Sequence, residues 1–355
     1  MRIEQADASD RATTRECFEV VRAASEADDP LGPPWSLQRL QGWIDRPFMP
    51  VESWVGRDET TGAIAGWYFM FLPDRENLDR AYLFLTVPPA QRRRGIGTVL
   101  LRHAAGRAAA HGRSVLASEA FQGTAGAAFA EHVGATAGMV GARRVLGLGN
   151  LPAGRIAALR AQAAHAAAGY SLVRWDGRTP EEYLAKYAEV ENAFADAPHD
   201  PGEEPMVWDA QRVREQIDDV RERQGMHVYT VAALHDASGE MAAVTAVDLD
   251  LDHPQWGHQQ ITAVVRKHRG HRLGLLVKTA MLDWLAEAQP GIERIDTGNA
   301  AVNQHMIAIN EELGFELLEP LGQSYELAVA EARRGPGPAS AAAVVSSGRR
   351  SARSG

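Results

Sequence analysis

Apolar positions recur along this chain in two periods, and their order sets the expected elements. Asp10 to Ala27 and Ser36 to Asp45 space apolar residues three and four apart (Cys17, Val20, Val21, Ala24; Leu37, Leu40, Trp43), which predicts two amphipathic helices. Residues 1–10 alternate weakly and read as a first strand. Val51–Val55 and Ala63–Leu72 read as strands about the turn Asp58-Glu-Thr-Thr-Gly62. Ala81–Val87 is a further strand, and it runs through a Gly-containing turn into an Ala- and Leu-rich helix over Thr98–Ala110. A short strand at Ser114–Ser118, a helix over Gly123–His132 stopped at Gly134, and a strand at Arg143–Leu148 complete the set.

Asn150 to Ala168 reads as a linker ending in an alanine-rich helix, and from Tyr170 the order repeats. Ser171–Trp175 is a strand; Pro180–Phe194 and Asp209–Gln224 are helices. Met226–Leu234 and Met241–Leu251 form a hairpin around Asp236-Ala-Ser-Gly239. Gln260–Val265 leads into a second turn and the helix Leu275–Ala286. Ile292–Thr297, a helix over Asn303–Leu313 and the strand Ser324–Ala328 follow. The repetition predicts an internal duplication: a module at 1–150, a linker helix at 151–168, a second module at 169–330, and a Gly/Ser/Ala/Arg-rich tail at 331–355 that composition marks as disordered.

Composition narrows the function. At 355 residues, 45% hydrophobic and 23% charged, the chain has room for two ordinary domains. A net charge of −9 argues against a nucleic-acid partner. A single cysteine, Cys17, makes no internal disulfide. No apolar run reaches the roughly 18 residues a membrane span needs, and the N-terminus has no signal-peptide core. A cytoplasmic protein without membrane partners is expected; the oligomeric state is not readable.

The stretch that carries chemistry is Val87-Pro-Pro-Ala-Gln-Arg92-Arg93-Arg94-Gly95-Ile96-Gly97-Thr98. A strand, a glycine turn and a helix start together make an anion site, because the first helical amides lack acceptors and the helix dipole is positive there. Arginines 92–94 add charge suited to a pyrophosphate. A dinucleotide fingerprint would need a further glycine where Leu100 stands, and a Walker loop would need Gly-Lys-Ser/Thr, which is absent. With Val87, Pro89, Arg92, Gly95 and Gly97 in every fixed place of V-x-P-x-x-[QR]-x-x-G-x-[GA], the stretch resembles the acyl-CoA loop of the GNAT superfamily of N-acetyltransferases. A second copy, Val264 to Gly274, keeps Val264, Arg269 and Gly274 but has Arg266 for the Pro and Arg272 for the first Gly. Thr297 to Met306 and the Leu-Gly-Phe ending at Phe315 resemble the family's fifth strand and following helix.

That resemblance implies an α/β (α+β) fold of two tandem modules, each a mixed, mostly antiparallel sheet flanked by helices. It also implies direct transfer of an acetyl group from acetyl-CoA, as cosubstrate, to a primary amine, with a small-molecule acceptor expected; the sequence does not choose among a small amine, an antibiotic, an amino acid and a protein lysine. Leu85, Thr86 and Val87, then Arg92, Arg93, Arg94, Gly95, Ile96, Gly97 and Thr98, are the residues it assigns to the cosubstrate in the first module. In the second they are Val264, Arg269, Gly270, His271, Arg272, Leu273 and Gly274, with Asn299 and Asn303 either amide contacts or helix-start residues. Many family members protonate the departing thiolate with a tyrosine, but the matching positions hold Ala130 and Asn310. Glu119 and Asp248 are the candidate bases, with Asp250 and Asp252; Val247 to Asp252 alternates, so its carboxylates share one strand face, either a solvated face or an acidic wall for an amine. His253, His258, His268 and His271 lack a completing ligand set, and no metal is expected. The alternatives are a non-catalytic CoA-sensing or interaction protein, and transfer of a longer acyl group.

Overall fold

The computed structural model describes residues 1–193, 198, 200 and 202–335. The chain forms two compact units, and neither is a continuous half of the sequence. Of the described residues, the first comprises Met1–Pro30, Met49–Met139 and 322–335; the second comprises Leu31–Phe48 and Val140–Leu321. The boundary expected at residue 150 therefore lies at 139/140, with two segments assigned across it.

In the first unit β1 (Arg2–Gln5), β2 (Val51–Arg57), β3 (Ile64–Phe71), β4 (Arg80–Thr86) and β5 (Val115–Phe121) form a sheet in that order. It is completed by the end of β12 (Glu316–Ala328), whose residues Gly322 to Ala328 pair antiparallel with β5. Only β4 and β5 run parallel. Helix α1 (Arg11–Asp28) starts at Asp10, whose carboxylate accepts from the amides of Ala12 and Thr13. Helix α3 (Ile96–Ala110) buries Leu100, Leu101, Ala104, Ala105 and Ala108 against Tyr68, Met70 and Leu83 of the sheet. Truncating Leu100, fully buried there, would cost about 2–5 kcal/mol. Helix α4 (Ala125–His132) follows β5, and a short α11 (Val329–Arg334) buries Val329 and Ala332. The start of the expected disordered tail is thus ordered helix, and the remainder of that expectation, 336–355, lies outside the described residues.

In the second unit the order is β6 (Thr136–Gly147, through its Val140–Gly147 part), β11 (Arg294–Ala300), β10 (Trp256–Val264), β9 (Met241–Asp250), β8 (Met226–His235) and β7 (Tyr170–Asp176). Again a single pair, β10 with β11, is parallel. One face carries α9 (Leu273–Ala288) and α5 (Arg155–Ala166), whose Ala163 is buried in the same cluster as Val247 and Leu249. The stretch expected to be a linker thus packs on this core through Ala163 and Ala167. The other face carries α6 (Glu181–Ala193) and a continuous helical stretch of α7 (Ala210–Arg212), a π-helical segment (Val213–Asp219) and α8 (Val220–Arg223). Helix α2 (Leu37–Ile44) packs on α8, so tightly that a Cβ on Gly42 would lie 2.6 Å from the Gln224 amide. Helix α10 (Gln304–Leu313) begins at Asn303, whose side chain accepts from the Met306 amide, and ends at Gly314 with φ +97°.

Candidate active site

The two glycine-bearing loops have one backbone plan built from exchanged residues. Each follows its strand through a short 3₁₀ turn, Pro89–Gln91 and Arg266–His268. Each then passes twice through left-handed geometry, at Arg93 (φ +63°) and Gly95 (φ +79°), and at Gly270 (φ +89°) and Arg272 (φ +53°). Glycine and arginine trade the two positions. The helix then starts at Ile96 or Leu273, so its first amides, including those of Gly97, Thr98 and Gly274, lie at the loop's mouth. The motif arginine shapes this turn in both copies: Arg92 Nε donates to the Val87 carbonyl at 3.1 Å and Arg269 Nε to the Val264 carbonyl at 3.3 Å. Arg92 is further held by two bonds to Asp28, 2.8 and 2.6 Å. Arg94 bonds Gln91, and Arg272 pairs with Glu312 at 2.6 Å. The arginines expected to wait for phosphate thus include one, Arg92, already occupied in holding α1 to the loop.

The strand ahead of each loop parts from its parallel neighbour. β4 and β5 share rungs only from Arg80/Val115 to Tyr82/Ala117, so Leu85, Thr86 and the following Val87 lie beyond the split. β10 and β11 share rungs only from Trp256/Arg294 to Gln259/Thr297. The second unit adds a bulge, with the β10–β9 register shifting between Gln259 and Thr262, whereas the β3–β4 register runs unbroken. A bulge re-aims backbone groups and side chains locally, a common device beside reaction sites.

Two cavities adjoin at this split. One, about 540 Å³, is lined by Thr262, Ala263, Val264, Arg269, Gly270, Arg272, Leu273, Gly274 and Leu275, and by His305, Ile309 and Glu312 of α10. It has the loop amides, two arginines and an apolar wall, which suits a pyrophosphate carrying a long arm. The other, about 480 Å³, is lined by Glu191, Trp208, Gln216, Ile217, Arg221, Gln259, Gln260, Ile261, Thr297, Asn299 and Ala300. Pro198, Thr262, Asn303 and Met306 line both. His271 lines neither; it packs on the Tyr170 ring, 5.3 Å between centroids.

Glu191 and Arg221 escaped the sequence reading. Burial pushes the Glu191 carboxyl up to about 7, and Arg221 partly opposes this. Burial alone would lower Arg221, but Asp248, Tyr187 and Glu191 raise it. A signal was present: Leu184, Tyr187, Ala188 and Glu191 fall on one helical stripe, and Val213, Ile217 and Arg221 on another, so each stripe ends in a charge where apolar residues belong.

The earlier candidates are placed differently. Asp248 and Asp250 are almost fully buried, because β9 is covered on both faces; neither the solvated face nor the open acidic wall exists. Asp248 accepts from Arg221 Nε at 2.7 Å, and Asp252 lies past the strand, its amide bonded to Asp250 at 2.9 Å. Glu119 is exposed near the end of β5, opposite Ser324. Asn310 is fully buried between Lys278, which donates to its Oδ1 at 2.8 Å, and Asn299, which accepts from its Nδ2 at 2.7 Å. Burial lowers the Lys278 ammonium to about 7. Asn299 and Asn303 each combine a structural bond with a place in the cavity wall. His258 is paired with Asp296 at 2.6 Å, and no group of three metal-ligating side chains occurs among the described residues.

Two parallel-split sheets, each with this loop on the following helix, decide the architecture. It resembles that of tandem GNAT proteins. The acetyltransferase (GNAT) family pattern matches residues 16–135. A tandem GNAT protein from the clavulanic acid biosynthesis pathway is 29% identical, with TM-score 0.76 over 92% of this chain and 98% of that one. A GCN5-related N-acetyltransferase from Sphaerobacter thermophilus shares the fold at 14% identity, with TM-score 0.64 over 92% and 95%. So does a glucosamine N-acetyltransferase region of a fungal multi-domain β-N-acetylglucosaminidase, at 13% identity and TM-score 0.60, over 92% of this chain and 38% of that one. No curated protein matches the sequence significantly. The fold supports acyl transfer in general, and no described helix is long and apolar enough to cross a membrane.

Proposed function

We propose that the chain is an acetyl-CoA-dependent N-acetyltransferase whose chemistry runs in the second unit. The observation that carries this reading is the pair of cavities meeting at the β10 bulge, one lined by the acyl-CoA-type loop and one by polar side chains with Glu191. Acetyl-CoA would lie along the loop, with pyrophosphate on the amides after Arg272 and the thioester at the shared wall of Thr262, Asn303 and Met306. The acceptor amine would sit beside Glu191, whose carboxylate takes its proton. The nitrogen then bonds the acyl carbon, the carbon–sulfur bond breaks with the electron pair going to sulfur, and the second proton shed by the nitrogen passes to that thiolate, leaving the amide and the free CoA thiol. An unperturbed thiol pKa of about 8.5 makes that departure feasible without the tyrosine that Asn310 replaces. The first unit keeps the loop but lacks the bulge, and its Arg92 is committed to Asp28; we assign it cosubstrate binding without chemistry.

Calorimetric titration with acetyl-CoA, paired with thiol release over a set of amines, tests this. Glu191→Gln should leave acetyl-CoA affinity intact and remove turnover, while Arg272→Ala should weaken acetyl-CoA several-fold. Failure to bind at millimolar acetyl-CoA, or undiminished turnover in Glu191→Gln, would overturn the assignment.

A further inference from the structure

Among the described residues, the acceptor cavity's wall holds one carboxylate and one guanidinium beside amides, hydroxyls and apolar groups. From this we infer that the acceptor is a zwitterionic aminocarboxylate, with its ammonium at Glu191 and its carboxylate at Arg221. The inference rests on the acceptor role proposed for this cavity, and it adds the chemical class.

Arg221 decides the matter. It lines the cavity beside Glu191 on a neighbouring helix, and it is substantially buried, with only 13% of its side chain exposed. A guanidinium presents five N–H donors in a plane. Asp248 accepts from Nε at 2.7 Å and so fixes the plane from behind. Asp248 is a positioning residue: it holds Arg221 and lies outside the cavity wall. An arginine anchored at Nε and lining a cavity is suited to binding a carboxylate through its remaining donors.

Charge excludes the rival classes. A polyamine would bring several cations to a wall with one carboxylate and a fixed arginine. An amino sugar carries no anion to match Arg221. A simple alkylamine would engage Glu191 and bring no acceptor for the guanidinium's remaining donors. Gln259, Gln260 and Asn303 supply the donors and acceptors that orient a small polar body, and about 480 Å³ accommodates an amino acid with a side chain of several heavy atoms.

The test compares α-, β- and γ-amino acids with their carboxamides and with the corresponding amines lacking the carboxyl group. Thiol release is measured with acetyl-CoA, and binding of the same compounds is measured separately by saturation-transfer NMR with CoA present. The aminocarboxylates should exceed their carboxamides about 10- to 100-fold in kcat/KM, the range of one charge-assisted contact. Removing Arg221 alone strands the buried Asp248, so Arg221→Met is made together with Asp248→Asn; thermal melting checks its folding, and it should abolish the preference. Equal or better use of carboxamides by the wild-type protein would overturn the inference. So would binding of carboxyl-free amines in preference to aminocarboxylates. Aminocarboxylates that bind selectively without being acetylated would uphold the ligand class and sink the transferase reading instead.

Discussion

Replacing Glu191 with Gln keeps the side chain's size and removes its titration, and two consequences can be worked from its burial. The folded chain holds this carboxyl at about 7 against an ordinary 4.5, because desolvation disfavours the anion more than Arg221 helps it. At about 1.4 kcal/mol for each pH unit between those values, the ionised form destabilises the fold by about 3 kcal/mol. Below pH 4.5 the group is protonated in both states and contributes nothing. Between 4.5 and 7 the unfolded chain has released the proton and the folded chain retains it, so stability falls as pH rises, levelling off above 7. Glu191→Gln should therefore gain on the wild-type protein across that window, by up to about 3 kcal/mol at pH 8.5, read as a rising difference in urea midpoints between pH 4.5 and 8.5. Turnover should move the other way. Wild-type kcat/KM should climb about tenfold per pH unit below 7 as the base ionises, and the variant should lose that limb with about 10²- to 10⁴-fold of rate. A stability difference that does not change with pH would refute the burial argument. A variant that keeps the limb near 7 would refute Glu191 as the base.

Two further predictions concern other buried charges. Lys278, lowered to about 7 from 10.5 by burial, is charged at a cost in the folded state below pH 7; the unfolded chain binds the extra proton between 7 and 10.5. Wild-type stability relative to Lys278→Met should therefore rise over that range, by about 5 kcal/mol at most, in denaturant melts at pH 7 and 10; a flat difference would mean that the amine is hydrated. A double-mutant cycle on Arg92→Ala and Asp28→Ala should give a coupling of about 1–2 kcal/mol in stability, since the pair is bidentate and half-buried; a coupling near zero would free Arg92 for phosphate.

The sequence by itself determined the features that depend on neighbours along the chain. The loop at Arg92–Gly97 and its altered copy at Arg269–Gly274 were legible because turn chemistry and helix starts are local. The substitution of Arg272 for glycine was legible too, although only the φ angles show glycine and arginine exchanging the two strained positions. The Asn303 cap and the hairpin at Met226–Leu251 were likewise written in short spacings.

Tertiary structure decided everything that depends on what covers a surface. Alternation in Val247–Asp252 reports two strand faces but not that helices lie on both, so Asp248 and Asp250 read as open when they are buried. The α2 segment and the strand ending at Ala328 each join the unit that their place in the sequence does not predict, because pairing a strand or docking a helix is satisfied by any complementary edge within reach of the chain. Glu191 and Arg221 are thirty residues apart on separate helices. Periodicity marks each as a misfit on an apolar stripe, but a pattern along one helix carries no information about the other, and only packing onto a common sheet face brings the two charges to one cavity.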